Sequence, residues 1–147
     1  KDKNKKNYEK SQDNLGHLLL RPIGQQILAE AVGSLVSKGS SLKAIFEKVE
    51  KIDSSGHFNT HQPSSIFYGV TVDIEGKRML TNNQLEAAKY LEYLLAGETN
   101  PKVQERYLSQ IIEKRSDPTN PDNWKDFNGD IVPKKNKNKI YLPKPFI

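Results

Sequence analysis

The chain has 147 residues, no cysteine and a formal net charge of +5, with 35% hydrophobic and 28% charged residues. This length suits one ordinary domain, and the lack of cysteine excludes disulfides, thiolate metal ligands and a cysteine nucleophile, which fits a reducing cytoplasm. No apolar run approaches the roughly 20 residues of a membrane span, and none resembles a signal peptide. We therefore expect a cytoplasmic protein without a membrane partner.

The positive charge lies at the two ends of the chain. Residues 1–10 contain five Lys and two acidic residues, and residues 131–147 contain five Lys and no acidic residue, so the 120 residues between them carry a net charge of −3. Such lysine-rich ends are typical of solvated segments that touch phosphates weakly. We predict a basic flexible tail over 1–13, a mainly helical domain over 14–116 and an extended Pro/Lys-rich arm over 117–147.

The first predicted elements are two helices. Pro22 disfavours helical backbone at Arg21, and the helical spacing of apolar residues from Pro22 to Gly39 predicts the first helix. Ser40 or Ser41 caps a second helix. Its apolar face consists of Leu42, Ile45, Phe46, Val49 and Ile52. Because the link is very short, we predict that the two helices pack as an antiparallel hairpin.

A loop, a strand and two more helices follow. Residues 53–65 are rich in turn formers, and the β-branched and aromatic residues of 66–73 predict a strand that ends in a turn at 74–78. Thr81 or Asn82 caps a third helix that ends at Gly97. Its apolar positions are Leu85, Ala88, Leu91, Leu94 and Leu95.

The pair Asn100 and Pro101 starts a fourth helix. Its predicted buried side consists of Val103, Tyr107, Leu108, Ile111 and Ile112. The predicted fold is mainly α with a small β element, that is, α+β. It has about four helices in two hairpins, one or two short strands, and disordered or extended basic tails.

The chain shows no motif for catalysis, a cofactor or a metal. His57 and His61 are four residues apart in a loop, where that spacing does not place them on one face, and two histidines are too few for zinc. The acidic residues between 117 and 130 do not match a calcium loop, and no phosphate-cradling glycine loop or nucleophile elbow is present. We therefore predict no catalytic residue, metal ligand or cofactor.

Three basic residues of the helical domain are candidates for nucleic-acid contact: Arg21, Lys77 and Arg78. Arg21 lies where the chain turns helical, and the N–H groups at a helix start also favour anions. Alternatively, Arg21 caps a carbonyl or pairs with an acid such as Glu30 or Glu50, which is the commoner role of an arginine. Lys77 and Arg78 lie in a turn and are either solvated or in contact with a phosphate.

The arm over 117–147 contains the candidates for a protein-binding surface. They are Trp124, Phe127, Tyr141 and Phe146, which alternate with prolines and lysines. Aromatic side chains are frequent anchors at protein interfaces, and extended segments commonly dock on partner surfaces. We predict that these four residues bind another protein.

Two stretches resemble a known family. The stretches "LLLRPIGQQILAEAV" at 18–32 and "SSIFYGVTVDIEGKRMLTNNQLEAAKYLEYLLAG" at 64–97 are similar to the C-terminal portion of the DGQHR-domain family of DndB-like DNA sulfur modification proteins. The matching positions are Arg21, Pro22, Gly24, Gly76, Arg78 and Met79. The Asp-Gly-Gln-His-Arg motif itself is absent and would lie upstream. Since the chain starts at Lys1 and its only methionine is Met79, we expect a piece of a longer protein.

This resemblance implies a role in bacterial DNA modification or defence, including regulation of DNA phosphorothioation genes. The implied partners are the other domain of the same protein, other modification-system proteins and, weakly, DNA; no catalytic residue is implied. On this interpretation the helices support the upstream domain and the lysine-rich ends contact phosphates. The alternative is a protein–protein interaction module without DNA binding, which docks through the aromatic arm. An enzyme that acts by itself is the least favoured interpretation.

Overall fold

The computed structural model describes residues 17–60, 64–68, 70, 72–73, 78–79, 84–97, 100–117, 119–120 and 122–146. These residues form four α-helices, namely α1 (Pro22–Ser37), α2 (Leu42–Ser54), α3 (Gln84–Ala96) and α4 (Pro101–Glu113). Short 3₁₀ helices cover Leu18–Leu20 and Lys134–Lys139. The structure confirms the predicted mainly helical class with a small β content.

The β content consists of two short antiparallel pairs in the described part of the chain. Strand β1 (Val72–Asp73) pairs with β2 (Arg78–Met79), with Val72 opposite Met79. Strand β3 (Asn123–Lys125) pairs with β4 (Ile131–Pro133), with Trp124 opposite Val132. None of the helices in the described ranges has the length and apolar character needed to cross a membrane.

The entry to α1 depends on a proline and a glycine. Arg21 has extended backbone, with φ −110° and ψ 144°, as expected for a residue before proline, and Pro22 is the first residue of the helix. Two residues later the helix passes against the preceding 3₁₀ turn. A Cβ atom on Gly24 would lie 1.8 Å from the carbonyl oxygen of Leu18, so only glycine permits this close approach.

The core lies where α3 packs between α1 and α4. Ile27, Ala31 and Leu35 of α1 and Leu91 and Leu94 of α3 are fully or almost fully buried. The sequence predicts that the first two helices pack on each other as an antiparallel hairpin. In the structure α1 packs mainly on α3 and makes only a small contact with α2.

The apolar face of α2 is therefore only partly covered by the rest of the protein. Ile45, Val49 and Ile52 are buried, whereas Leu42 and Phe46 are 53% and 48% exposed. The predicted apolar face of five residues therefore contributes three of them to the core.

Among the described residues of the predicted strand over 66–73, the two residues of β1 are in a strand. Before it, the chain turns: the N–H of Tyr68 donates to the carbonyl of Ser65 at 3.1 Å, and the N–H of Val70 donates to that of Phe67 at 3.1 Å. The apolar character of this run reflects burial against α3 rather than a sheet, since Tyr68, Phe67 and Val70 are all buried. The predicted turn at 74–78 and the caps Thr81 and Asn82 fall mostly outside the described residues.

The C-terminal part also differs from the predicted extended arm. Residues 123–133 form the β3–β4 hairpin and residues 134–139 a 3₁₀ helix, whereas residues 140–146 have no regular structure. The buried side chains of Trp124, Phe127 and Ile140 attach this part to the helical body. The predicted N-terminal tail over 1–13 lies outside the described residues.

Candidate functional site

A buried arginine attaches the C-terminal hairpin to the body. The side chain of Arg115, just after α4, has no exposed surface. Its Nε donates to the carbonyl oxygen of Lys125 at 2.9 Å, Nη1 to that of Ser65 at 3.1 Å and Nη2 to that of Asp126 at 2.6 Å. One side chain thus joins the loop before β1, the end of β3 and the turn that follows β3.

Aromatic rings surround the same guanidinium. Its central carbon lies 4.5 Å from the centroid of the Phe127 ring and 5.3 Å from that of the Tyr68 ring, which is within the range of cation–π attraction. Burial lowers the pKa of Arg115, while the neighbouring Tyr90, Tyr68 and Asp126 act in the opposite direction. Because arginine starts from such a high pKa, it stays charged in this position.

The turn between β3 and β4 is fixed by Asp126. One oxygen of its carboxylate, Oδ1, accepts hydrogen bonds from the N–H groups of Asn128 at 3.0 Å and Asp130 at 2.9 Å. Gly129 has a φ of 87°, in the left-handed region that favours glycine. The turn therefore returns the chain along β4 and directs residues 134–139 back towards α4.

Residues Lys134–Lys139, which we call the lysine segment, read "KKNKNK" and form a 3₁₀ helix on the surface of the body. The N–H of Lys134 donates to the carbonyl of Asp122 at 2.8 Å. Lys137 forms an ion pair with Glu113 of α4, and its Nζ lies 4.6 Å from the centroid of the Trp124 ring. These two contacts of Lys137 attach the lysine segment to α4 and to β3.

The other lysines of this part of the chain are electrostatically uncompensated. Lys134, Lys135, Lys139 and Lys144 are exposed and form no ion pair with any described residue. An open groove of about 490 Å³ separates the lysine segment from α4. Lys134 and Lys135 line this groove together with Lys137.

The last described residues cross the body. Ile140 is buried, the hydroxyl of Tyr93 donates to the carbonyl of Pro143 at 3.0 Å, and the N–H of Phe146 donates to the carbonyl of Leu94 at 2.7 Å. These contacts fix residues 140–146, which we call the C-terminal segment, against α3.

A cleft of about 620 Å³ opens beside the C-terminal segment. Three separate parts of the chain line it: the loop after α2, the turn after β3, and residues 139–146, which are the end of the lysine segment and the C-terminal segment. Its lining includes His57, Asp126, Phe127, Lys139, Tyr141 and Lys144. Among the described residues, no group of three or more His, Cys, Asp or Glu side chains is placed to hold a metal ion.

His57 contributes an imidazole ring to this cleft. Its ring lies 6.2 Å from that of Phe146 in an edge-on arrangement, and its Nδ1 accepts a hydrogen bond from the N–H of Ile66 at 3.4 Å. Burial lowers the pKa of His57 from its ordinary value, which favours the neutral ring. The other predicted loop histidine, His61, lies outside the described residues.

The predicted nucleic-acid residues are only partly placed by the structure. Arg21 is half-buried at the N-terminus of α1, where its side chain makes no helix-capping hydrogen bond. Lys77 lies outside the described residues, and for Arg78 the description is limited to the backbone of β2. A joint phosphate site of these three residues therefore stays a prediction.

The predicted protein-binding aromatics are divided between core and surface. Trp124 and Phe127 are each 9% exposed and belong to the core of this chain, and Phe146 is half-buried against it. Tyr141 is 77% exposed. Of the four, Tyr141 has the accessible surface that an interface anchor needs, and binding of a partner by the set stays a prediction.

The roles of Arg115 and the lysine segment were not found from the sequence. A single arginine after a helix carries no pattern that distinguishes a buried role from a solvated one. The composition of the lysine run is that of a solvated tail, whereas the burial of Trp124 and Ile140 that orders it depends on tertiary contacts. In comparisons with known proteins, no family model, curated protein or solved structure matches the chain.

Proposed function

We propose that this chain is the C-terminal helical region of a DndB-like DGQHR-domain protein and that it contacts DNA phosphates through the lysine segment. The resemblance of residues 15–97 supports the family assignment. The observation that carries the DNA contact is the set of uncompensated lysines on an ordered surface, where Lys134 and Lys135 are both exposed.

Phosphate contact suits the chemistry of this surface. Lysine ammonium groups bind phosphates as point charges and release counterions from the duplex, without reading its sequence. Residues 131–147 contain no acidic residue that would repel DNA, and Glu113 beside the segment is already paired with Lys137. Such a surface adds affinity and orientation, whereas sequence recognition falls to another part of the longer protein.

The local arrangement matters because the body of the chain, between its two lysine-rich ends, is not basic. Residues 11–130 carry a net charge of −3, so the overall charge does not make the whole body attractive to DNA. Long-range attraction is screened over roughly 8 Å at physiological ionic strength. Binding through the body of the chain therefore requires that the duplex lie directly against the lysine segment.

The second candidate function is the protein-interaction module without DNA binding. The exposure of Tyr141 favours it, since an exposed tyrosine is a common interface anchor. The burial of Trp124 and Phe127 reduces the aromatic surface that is open to a partner in this conformation.

The test compares two charge-matched double variants of the full chain. Lys134→Ala with Lys135→Ala removes two charges from the lysine segment, and Lys43→Ala with Lys51→Ala removes two exposed charges from α2. Binding to a labelled DNA duplex is measured at low salt, with circular dichroism as a check on folding. We expect the first variant to bind about tenfold more weakly and the second to stay within about twofold of the unmodified chain.

Two results would contradict the proposal. Equal losses in both variants would show that only net charge matters and that the lysine segment is not the contact surface. No duplex binding by the unmodified chain at low salt would remove the DNA function and favour the protein-interaction module.

A further inference from the structure

We propose that the cleft beside the C-terminal segment binds a nucleotide, defined by its chemistry as an aromatic base joined through a sugar to a phosphate. This proposal does not rest on duplex binding by the lysine segment. Its starting point is the juxtaposition, in one concave site, of aromatic walls, two lysines and a carboxylate.

The size and construction of the cleft suit a small ligand. Its volume of about 620 Å³ lies within the roughly 300–1,000 Å³ that is usual for small-molecule sites. It is built from three parts of the chain that the fold holds together: Arg115 bonds to the carbonyl of Asp126 at 2.6 Å, and the N–H of Phe146 bonds to that of Leu94 at 2.7 Å. The walls are therefore fixed before a ligand arrives.

The aromatic lining favours a flat ring system. Phe127 and Phe146 line the cleft from the hairpin turn and the C-terminal segment, and the exposed ring of Tyr141 lies at the same opening. A nucleobase that stacks on an aromatic side chain is stabilised whatever its identity, because every base has a π face. Tyr141 is the side chain with the most free surface for this role.

The charges of the lining favour an anionic group on the same ligand. Lys139 and Lys144 line the cleft and form no ion pair with a described residue. Their ammonium groups match a phosphate. Asp126 has its Oδ1 committed to two backbone N–H groups, which leaves Oδ2 to accept from the exocyclic amine of a base.

His57 adds a directed donor. Its Nδ1 accepts from the N–H of Ile66, so in the neutral ring the proton resides on Nε2. Burial lowers the pKa of His57 and so favours the neutral ring. The tautomer with its proton on Nε2 is therefore the form that meets a ligand. A ligand oxygen, on the sugar or the phosphate, is the complementary acceptor.

The ligand chemistry has two sources, a free mononucleotide or an unpaired nucleotide at the end of a DNA strand. The test therefore titrates the full chain by calorimetry with deoxyadenosine monophosphate, deoxyadenosine, deoxyribose 5-phosphate and a 5′-phosphorylated single-stranded pentanucleotide. We expect the intact nucleotide, free or in the strand, to bind about tenfold more tightly than either the nucleoside or the sugar phosphate. A free nucleotide that binds as well as the pentanucleotide assigns the first source, and binding by the pentanucleotide alone assigns the second.

Two variants test where the base and the phosphate of the ligand bind. Tyr141→Ser removes the exposed ring and weakens binding of ligands with a base by about fivefold to tenfold. Lys144→Gln weakens binding of ligands with a phosphate to a similar extent and leaves deoxyadenosine unaffected. The matched control Lys102→Gln, an exposed lysine on α4, changes neither.

The proposal is overturned if neither the mononucleotide nor the pentanucleotide binds, if the nucleotide binds no more tightly than its halves, or if Lys144→Gln and Lys102→Gln have equal effects. The Lys134→Ala, Lys135→Ala variant separates this result from the proposed duplex contact. We expect that variant to bind the mononucleotide normally, because neither substituted residue lines the cleft. A loss of mononucleotide binding in that variant would place the ligand at Lys134 and Lys135, outside the cleft, and overturn the cleft as its site.

Discussion

The guanidinium carbon of Arg115 lies 4.5 Å from the centroid of the Phe127 ring, and the arginine side chain has no exposed surface. The substitution Arg115→Met keeps much of the apolar length but removes every donor. It removes the guanidinium donors from which the carbonyl groups of Ser65, Lys125 and Asp126 accept, so we expect the free energy of unfolding to fall by about 2–5 kcal/mol. Urea denaturation followed by circular dichroism measures this change.

The control for that experiment is Arg106→Met. Arg106 is exposed on α4, and its guanidinium carbon lies 5.8 Å from the centroid of the Tyr107 ring. An exposed contact of this kind contributes about 1 kcal/mol or less. If both variants lost the same stability, the buried hydrogen bonds of Arg115 would not be the main attachment of the hairpin.

Two glycines in α1 predict opposite effects of the same substitution. Gly24→Ala places a Cβ atom 1.8 Å from the carbonyl oxygen of Leu18, so the backbone has to move, at a cost of about 1–3 kcal/mol or more. Gly33→Ala meets nothing within 4 Å and replaces a poor helix former, so we expect a gain of about 1 kcal/mol. Thermal unfolding distinguishes them. A gain of stability in Gly24→Ala would contradict the close packing assigned to Gly24, and a loss in Gly33→Ala would contradict the open space at Gly33.

The stability of the protein depends on pH through His57. Burial lowers the pKa of His57 below its ordinary 6.5, so just below that value the unfolded chain binds more protons than the folded chain. The free energy of unfolding therefore decreases as the pH falls through this range, and the contribution is fully present above it. Urea midpoints from about pH 7.5 to about pH 5 will show a shallower decrease for His57→Gln than for the unmodified chain. Identical pH profiles would exclude this role.

The salt dependence of DNA binding measures how many phosphates the chain contacts. Each lysine that neutralises a phosphate contributes about 0.9 to the slope of log affinity against log salt concentration. Removing Lys134 and Lys135 should reduce that slope by roughly 1.8, whereas the control that removes Lys43 and Lys51 should leave it unchanged. An affinity loss without a change of slope would mean that the two lysines act indirectly, through folding of the segment.

The helices were predictable because their signals are local. Asn100 and Pro101 predicted the start of α4, and in the structure Pro101 is the first helical residue and the Asn100 side chain accepts from the N–H of Val103. The switch from extended to helical backbone at Arg21 followed in the same way from the next residue, Pro22. These features depend on neighbours within one turn of the chain.

The parts that differed depend on contacts distant in sequence. The apolar run around Phe67 reads as a strand by composition, yet the hydroxyl of Tyr90 donates to the carbonyl of Ile66 at 2.7 Å and the rings of Phe67 and Tyr90 lie 5.1 Å apart. Packing on α3 therefore sets its conformation. The cleft is still less visible in the sequence, because His57, Asp126 and Lys144 lie far apart along the chain.

The attachment of the lysine segment affects the entropy of any encounter with a phosphate. A lysine run on an unfolded segment loses backbone freedom each time it binds, at roughly 1–2 kcal/mol per residue that becomes fixed. Here Trp124 beneath Lys137, and Ile140 in the core, have already restricted that freedom on folding. The segment therefore acts as a preorganised surface, and binding has only side-chain motion left to restrict.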